Sequence, residues 1–341
     1  MAEYKTYILG EKDKEFWDEF ISESSNGTIF HRFEWLKAAE EHSKMKLLPV
    51  AVYKGNTVVS LVPFFKSKKY GLRILLSPPN SCGIPFLGPV LNIPASNRYK
   101  YEQTYIDTID HMIQFLEDKI GFDFLRIVHT PDIVDMRSYN WKKYYVQPSY
   151  TYSFNLTADK ESIYNGFHSS TKNALKKAMS NKEIVISKDK KYSSEILSLV
   201  DKRYKTQNRK FKVNKYYFEK LMSSSLSDCI ESIAIVHNEC TIAGDITLTD
   251  RKNAYAWVGS VNRDVSLPGV GELVLWEKIK EYIDRGFSAY DIVGANTRHL
   301  RKHKAKYGAK LVSYFVVQKS SMRGSIALKA MDMIGKNGLN S

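Results

Sequence analysis

Ten residues near the end of the chain, RKHKAKYGAK (301–310), contain five lysines or arginines and one histidine. They directly precede an apolar, strand-like run at 311–317, so this charge lies beside a segment that packs into a core. Asp291 lies shortly upstream, near the end of a predicted strand, and ligands of α/β proteins collect beyond strand ends. A lysine there could stabilise an oxyanion or a phosphate, so the sequence predicts an anion-handling site; a solvated basic surface is the alternative.

A second candidate is the turn PGVG at 268–271, which precedes a helix-like segment. Glycines such as Gly269 and Gly271 at a helix N-terminus let backbone N–H groups approach an anion, and the helix dipole favours phosphate there. The turn could therefore hold the pyrophosphate of acyl-CoA or another phosphorylated carrier. A tight turn that needs glycine only for its backbone geometry accounts for the pattern equally well. Tyr255 and Trp257, on the strand before the turn, are candidate binding residues.

Two further basic segments could contact anions. Lys172 and Lys176 are one helical turn apart in SSTKNALKKAMSN (169–181), a spacing that suits a phosphate but also a solvated helix face. The segment 201–213 carries six lysines or arginines interleaved with Tyr204 and Phe211. Such interleaving occurs in nucleic-acid grooves and equally in exposed loops.

The composition limits the class of protein. The 341 residues are 43% hydrophobic with a net charge of +14, which indicates a globular protein with anionic partners: nucleic acid, phosphorylated substrates or an acidic membrane surface. Three distant cysteines and no metal-ligand spacing argue against a zinc site or a disulfide framework. With no signal peptide and no apolar run of about 18 residues, the sequence predicts no transmembrane segment and a cytoplasmic location, with the inner membrane face as an alternative.

The sequence repeats its pattern. VAVYKGNTVVSL (50–61) and IAIVHNECTIAGDI (233–246) both predict hairpins, and Gly-Phe closes a helix before a strand at 121–128 and again at 286–293. The spacings predict two α/β units, with boundaries at 1–150, 151–319 and a basic tail at 320–341. The tail could form a short amphipathic helix.

Four segments in the same order resemble the FemAB-like (FemABX) branch of the GNAT acyltransferase superfamily, which also includes BioF2-like acetyltransferase-domain proteins. They are FHRFEWL (30–36), STKNALKKA (170–178), YDIVGAN (290–296) and HKAKYG (303–308). The resemblance covers about residues 15–318. It implies an α/β (α+β) fold of two tandem GNAT-like domains, each with a mixed, mostly antiparallel twisted sheet flanked by helices, and an active cleft in the second.

The resemblance implies an enzyme that transfers an acyl or aminoacyl group to an amine of a cell-envelope or polysaccharide precursor. An aminoacyl-tRNA-dependent peptidyltransferase of the peptidoglycan type is the alternative enzyme. No tightly bound cofactor or metal is expected; acyl-CoA or aminoacyl-tRNA would be the donor substrate. The implied partners are a phosphorylated carrier (CoA, a nucleotide-sugar or a lipid-linked precursor), with tRNA and a peripheral membrane contact as further candidates.

The same resemblance assigns roles to individual residues. Lys304 matches the motif lysine that steadies the tetrahedral intermediate or positions the acceptor, and Lys172 matches a helix arginine that contacts phosphate. Asp291 and Tyr290 match the strand end at the cleft. Asn296 and Arg298, in the loop that follows, are further binding candidates.

The sequence departs from the family pattern at several motif positions. Lysine replaces arginine at Lys172, His303 and Tyr307 replace two phenylalanines, and Lys37 is displaced from the usual position of a family lysine. These differences argue against a standard muropeptide acceptor, and the Gly269–Gly271 helix start resembles the CoA-binding turn of other GNAT enzymes. Two non-catalytic alternatives stay open: a nucleic-acid-binding protein, and an inactive scaffold of the same fold.

Overall fold

The computed structural model describes residues 3–265 and 267–326, which form two compact units. The first contains the described residues up to Ser149 and again from Tyr314, and the second is Tyr150–Ser313. The sequence placed residues up to 319 in the second domain, whereas the end of the last strand contacts the first unit. Residues 327–341 of the predicted tail lie outside the described residues.

The first unit contains a mostly antiparallel sheet in the order β1–β2–β3–β4–β6, followed by the second half of β13; β4 and β6 are parallel. Its strands are β1 (Tyr4–Ile8), β2 (Lys46–Lys54), β3 (Thr57–Lys69), β4 (Leu72–Ser77), β5 (Val90–Leu91) and β6 (Phe124–Val128). Its helices are α1 (Lys14–Glu23), α2 (Phe33–Ser43), α3 (Arg98–Phe115) and α4 (Arg137–Trp141). One face of α3 packs Ile109, Met112 and Ile113 into the core, as the apolar spacing of that segment predicts.

The strands of the second unit pair in the order β7–β12–β11–β10–β9–β8, in which the β11–β12 pair is parallel and the other pairs are antiparallel. The strands are β7 (Tyr145–Asn155), β8 (Val185–Ser187), β9 (Ile230–His237), β10 (Cys240–Asp250), β11 (Asn253–Val261), β12 (Ala289–Asp291) and β13 (Lys310–Ser320), with β7 and β13 extending beyond the unit. The helices are α5 (Lys160–Gly166), α6 (Ser169–Ser180), α7 (Ser193–Thr206), α8 (Lys215–Met222), α9 (Val270–Asp284) and α10 (Arg298–Lys304). In each unit the strands pair in a mostly antiparallel manner and are flanked by helices, which confirms the predicted fold class.

The predicted hairpins are confirmed. Gly55 has a φ of +59° between β2 and β3, and Asn238 and Glu239 have φ values of +48° and +60° between β9 and β10. Positive φ at both central residues of the second turn, and at the first central residue of the first turn, gives each turn the twist that joins two antiparallel strands directly. The two Gly-Phe glycines, Gly121 and Gly286, also have positive φ beyond a helix end, as expected for that position.

Two sequence-based assignments were wrong in detail. The helix-like sequence at 160–181 predicts one helix, whereas the structure has two helices, α5 and α6, separated by Phe167 and His168. Phe167 has an extended backbone and is buried, and the His168 ring caps α6 by accepting from the backbone N–H of Ser170, so the chain turns there. The basic stretch after Asn296, predicted as a loop, contains α10, which begins after the capping residue Thr297. Arg301, Lys302 and Lys304 lie in its last turn, where the helix dipole favours positive charge.

The turn before α9 packs tightly against α6. Gly269 has a φ of +86°, and a Cβ at this position would lie 1.9 Å from the carbonyl oxygen of Ala174 and 3.2 Å from the Cβ of Ala178. Glycine is therefore required for close helix packing as well as for the backbone conformation. Gly271 lies within α9, where an added Cβ would approach Val261 at 3.2 Å.

We expect Gly269→Ala to lower the free energy of unfolding by about 3 kcal/mol, because it adds a steric clash to left-handed backbone strain. Gly286→Ala is the matched control: its φ is +73°, but an added Cβ meets nothing within 4 Å. That variant should lose about 1 kcal/mol. Urea denaturation of both proteins measures the difference, and equal losses would contradict the packing explanation.

Candidate active site

Lys304 lies at the end of α10 and points back to the end of β12. Its ammonium donates hydrogen bonds to the carbonyl oxygens of Ile292 (2.5 Å), Val293 and Gly294 (3.1 Å). The carbonyls converge because the chain turns sharply there, with φ values of +41° at Val293 and +81° at Gly294. An ammonium has three N–H donors, and here each has a carbonyl partner. Lys304 therefore fixes the backbone that leaves the strand.

Asp291, the last residue of β12, lies beneath this turn and is 6% exposed. Its Oδ1 accepts hydrogen bonds from the hydroxyl of Thr151 (2.5 Å) and the backbone N–H of Val293 (2.7 Å). Burial raises the pKa of Asp291 to about 6, although both hydrogen bonds and the charge of Lys304 oppose the rise. Burial also lowers the pKa of Lys304 to about 8, against the opposing charge of Asp291. At this strand end a carboxyl group with a pKa below 7 thus interacts electrostatically with an ammonium group with a pKa above 7.

A second carboxylate, Asp245 on β10, belongs to the same charge cluster. It lies directly opposite Gly259 on β11, where a Cβ would come within 2.7 Å of its Oδ2, so the glycine leaves room for the carboxyl group. Thr247 donates a hydrogen bond of 2.5 Å to Oδ1. Burial raises the pKa of Asp245, and the charges of Lys278 and Lys304 act against that rise.

Lys278, on α9, is 1% exposed and supplies the second positive charge. Its Nζ donates to the hydroxyl of Tyr282 (3.2 Å), which in turn donates to Glu231 (2.9 Å). Burial lowers the pKa of Lys278, while Asp245 is the first of the carboxylates that raise it. The cluster therefore alternates in sign from Lys304 through Asp245 to Lys278.

The sequence analysis missed both Asp245 and Lys278. A signal was present for each. Asp245 lies in the middle of a largely buried strand, and Lys278 falls on the buried face of α9 between Val274 and Tyr282. Charged residues at such positions are rarely buried without a partner.

Of the residues predicted for the site, the structure brings Asp291 and Lys304 together. Tyr290 is next to them in sequence but 1% exposed, with its ring stacked on Phe154 at 6.5 Å, so it is a core residue. The side chain of Asn296 accepts a hydrogen bond from the backbone N–H of Tyr150 (2.7 Å). Arg298 is exposed at the first turn of α10.

The other predicted residues make separate contacts. Lys172 donates to the carbonyl oxygen of Asn165 (2.9 Å) and lies 5.5 Å from the ring centroid of Tyr164, while Lys176 is exposed on α6. Tyr255 is buried in β11, and Trp257 packs against the rings of Tyr217 and Phe218 on α8. Gly269 and Gly271 line the α6–α9 packing described above. Their roles in binding stay predictions.

Residues 3–265 and 267–326 contain no group of three or more His, Cys, Asp or Glu side chains placed to hold a metal ion. Within the same ranges, each helix is too short or too polar to cross a membrane.

Comparison with known proteins gives a domain match for part of the chain and a fold for nearly all of it. Residues 167–301 match the family described as "Acetyltransferase (GNAT) domain". No curated protein matches the chain. Asp245, Lys278 and Asp291 all lie inside the matched range, and Lys304 follows it by three residues.

Solved structures match over nearly the whole length. The crystal structure of FemX has a TM-score of 0.71 at 11% identity and covers 96% of this chain and 100% of its own. L-PGS from Bacillus licheniformis has a TM-score of 0.58 at 10% identity, covering 94% and 96%. A tandem GNAT protein from the clavulanic acid biosynthesis pathway has a TM-score of 0.53 at 10% identity, covering 93% and 98%. These likenesses confirm the predicted tandem GNAT-like fold, and the acetyltransferase match confirms the enzyme class.

Proposed function

We propose that the chain is a FemAB-like acyltransferase of the GNAT superfamily, and that it transfers an acyl group from acyl-CoA to an amine of a phosphorylated cell-envelope or polysaccharide precursor. The observation that supports this proposal is the pair Asp291 and Lys304 at the end of β12. Their pKa values of about 6 and about 8 suit an ionised base and a protonated acid at neutral pH.

The proposed reaction balances without a cofactor. The neutral amine attacks the thioester carbonyl, a C–N bond forms, and the carbonyl oxygen becomes an oxyanion. When this intermediate collapses, the C–S bond breaks and the thiolate of CoA leaves. The proton lost by the attacking nitrogen passes to Asp291 and then to the thiolate, so the products are an amide and CoA.

The geometry assigns Lys304 a specific part in this reaction. Since all three N–H groups of its ammonium already contact carbonyls, it acts on the oxyanion through its positive charge and through the backbone that it holds in place. Desolvation strengthens that charge effect, because an interaction between charges grows as the local dielectric constant falls. The negative charge of Asp245 and the positive charge of Lys278 keep the buried cluster around Lys304 balanced in charge.

The donor is tested by offering the purified full-length chain two labelled donors in parallel: acetyl-CoA and longer acyl-CoAs in one set, and charged aminoacyl-tRNA in the other. Each is incubated with an amino-sugar nucleotide and with extracted lipid-linked precursors. We expect label to move from acyl-CoA to the acceptor nitrogen. Transfer from aminoacyl-tRNA alone would replace the proposed donor with the second candidate. Absence of transfer from both would overturn the proposal.

A further inference from the structure

An arginine interrupts the core-facing side of α7. Ile196 and Val200 on this helix are buried against the sheet, and Arg203 follows at the next position of the same stripe. Its side chain is half-buried. Burial lowers the pKa of Arg203, and the charges of Arg263 and Arg209 lower it further. The guanidinium group of Arg203, at the end of this helix, is therefore exposed to the positive charges of two further arginines.

Tyr204 holds two of the three arginines. The guanidinium of Arg203 lies 5.7 Å from the centroid of the Tyr204 ring, and that of Arg209 lies 5.4 Å from it. Phe211 packs on the same ring at a centroid distance of 5.3 Å. Cation–π contacts of this kind orient an arginine while leaving its N–H groups able to donate hydrogen bonds.

The carboxylates adjacent in sequence are paired with lysines. Asp264, next to Arg263, is paired with Lys202, and Asp201, on α7, is paired with Lys205 at 2.7 Å. Among the residues that the structure describes, none of the three arginines has an ion pair with a carboxylate. The cluster thus concentrates positive charge that the described part of the chain does not neutralise.

We propose that Arg203, Arg209 and Arg263, the arginine cluster, bind a phosphate or pyrophosphate group of a substrate. Guanidinium groups match phosphate oxygens in pairs of parallel hydrogen bonds, and an anion among three of them removes their mutual repulsion. The identification of this phosphate as part of a substrate rests on the proposed function. It also provides what Lys172 does not, since that ammonium is already engaged by Asn165 and Tyr164.

The position of the cluster fits a substrate that reaches the active site. The positive charge of Arg203 helps to lower the pKa of Lys304. A phosphate held by the cluster would therefore interact electrostatically with the end of β12. Arg209 also lines an open cleft of about 1160 Å³, which has room for the rest of a nucleotide. The cleft is further lined by the cations Lys202, Lys205, Lys210 and Lys215 and by Leu197, Phe211 and Val213.

The test is calorimetric titration of the full-length chain with three probes: inorganic pyrophosphate, CoA and UDP. We expect Arg209→Gln and Arg263→Gln each to weaken pyrophosphate binding roughly tenfold to a hundredfold, the usual effect of losing a charged hydrogen bond. Lys252→Gln is the charge-matched control. It removes an exposed cation in the turn at the start of β11, whereas Arg263 follows the end of that strand.

The other two probes identify the source of the phosphate. CoA binding that weakens in the arginine variants supports the site with CoA as ligand. UDP binding that weakens in them supports it with a nucleotide-linked acceptor. Binding of all probes unchanged by Arg209→Gln and Arg263→Gln, or no binding of any probe by the wild type, overturns the proposal. Titration measures binding without turnover, so its result does not depend on whether the acyl-transfer assay succeeds.

Discussion

Lys304→Met should lower kcat/KM for acyl transfer by about two to three orders of magnitude, the usual cost of removing one oxyanion-stabilising group. Lys304 contributes both a desolvated positive charge and three hydrogen bonds to the turn at 292–294. Methionine has a similar length and is uncharged, so it removes the charge and the bonds without opening a large cavity. Lys304→Ala should lose activity to the same extent.

Lys302→Met is the matched control for this experiment. Lys302 lies on the same helix and is exposed, so its replacement changes the net charge equally without touching the strand end. That variant should retain nearly full activity. Near-normal turnover by folded Lys304→Met, with circular dichroism unchanged, would remove Lys304 from the mechanism.

The pH dependence separates the charge of Lys304 from a purely structural role. Its pKa of about 8, lowered by burial, means that the ammonium loses its proton as the pH rises through that value. Wild-type kcat/KM should therefore fall above about pH 8. In Lys304→Met the residual activity should lack this alkaline decline. If the variant kept the decline, another group would have to be responsible for it.

Local patterns in the sequence were sufficient for most of the fold. The helix at 193–206 and the hairpins around Gly55 and Asn238 follow from periodicity and turn residues, which depend only on neighbours in the chain. The strand β1 and the pairing of Val316–Ser320 with β6 did not follow. The pairing of β13 with β6 joins segments almost 200 residues apart. The sequence of a strand does not by itself specify which other strand it will pair with.

The same distinction between local patterns and tertiary pairing applies to the residues of the candidate active site. Lys304 and Asp291 could be predicted because they lie 13 positions apart on either side of one turn. Asp245 and Lys278 approach them only because β10, β11 and β12 are neighbours and α9 packs on that sheet. The arginine cluster likewise joins the end of α7 with the residues after β11. A charged residue on a buried stripe was the available signal in each case, and its partner could be identified only from the tertiary structure.

Asp291→Asn should lower acyl transfer by about two orders of magnitude or more, the range expected for loss of a general base. The substitution is close to isosteric, and the amide oxygen can still accept from Thr151 and Val293, so the chain should remain folded. Wild-type activity should rise as Asp291 ionises through a pKa of about 6, and the variant should lack that acid limb. Asp228→Asn, which replaces a nearly fully exposed carboxylate in the same unit, is the control and should behave as wild type.

The stability of the Asp291 variant should change in the opposite direction to its activity. Burial raises the folded-state pKa to about 6, above the value of about 3.9 in an unfolded chain. The folded state therefore binds the proton more tightly, and this contribution to stability is complete below about pH 4 and is lost as the pH rises through 6. Relative to wild type, Asp291→Asn should gain about 2–3 kcal/mol of unfolding free energy between pH 4 and pH 7. Urea denaturation at the two pH values measures this gain. If the unfolding free energy of the variant relative to wild type were lower at pH 7 than at pH 4, Asp291 would be a stabilising anion. It would then not be the base with a raised pKa that is proposed here.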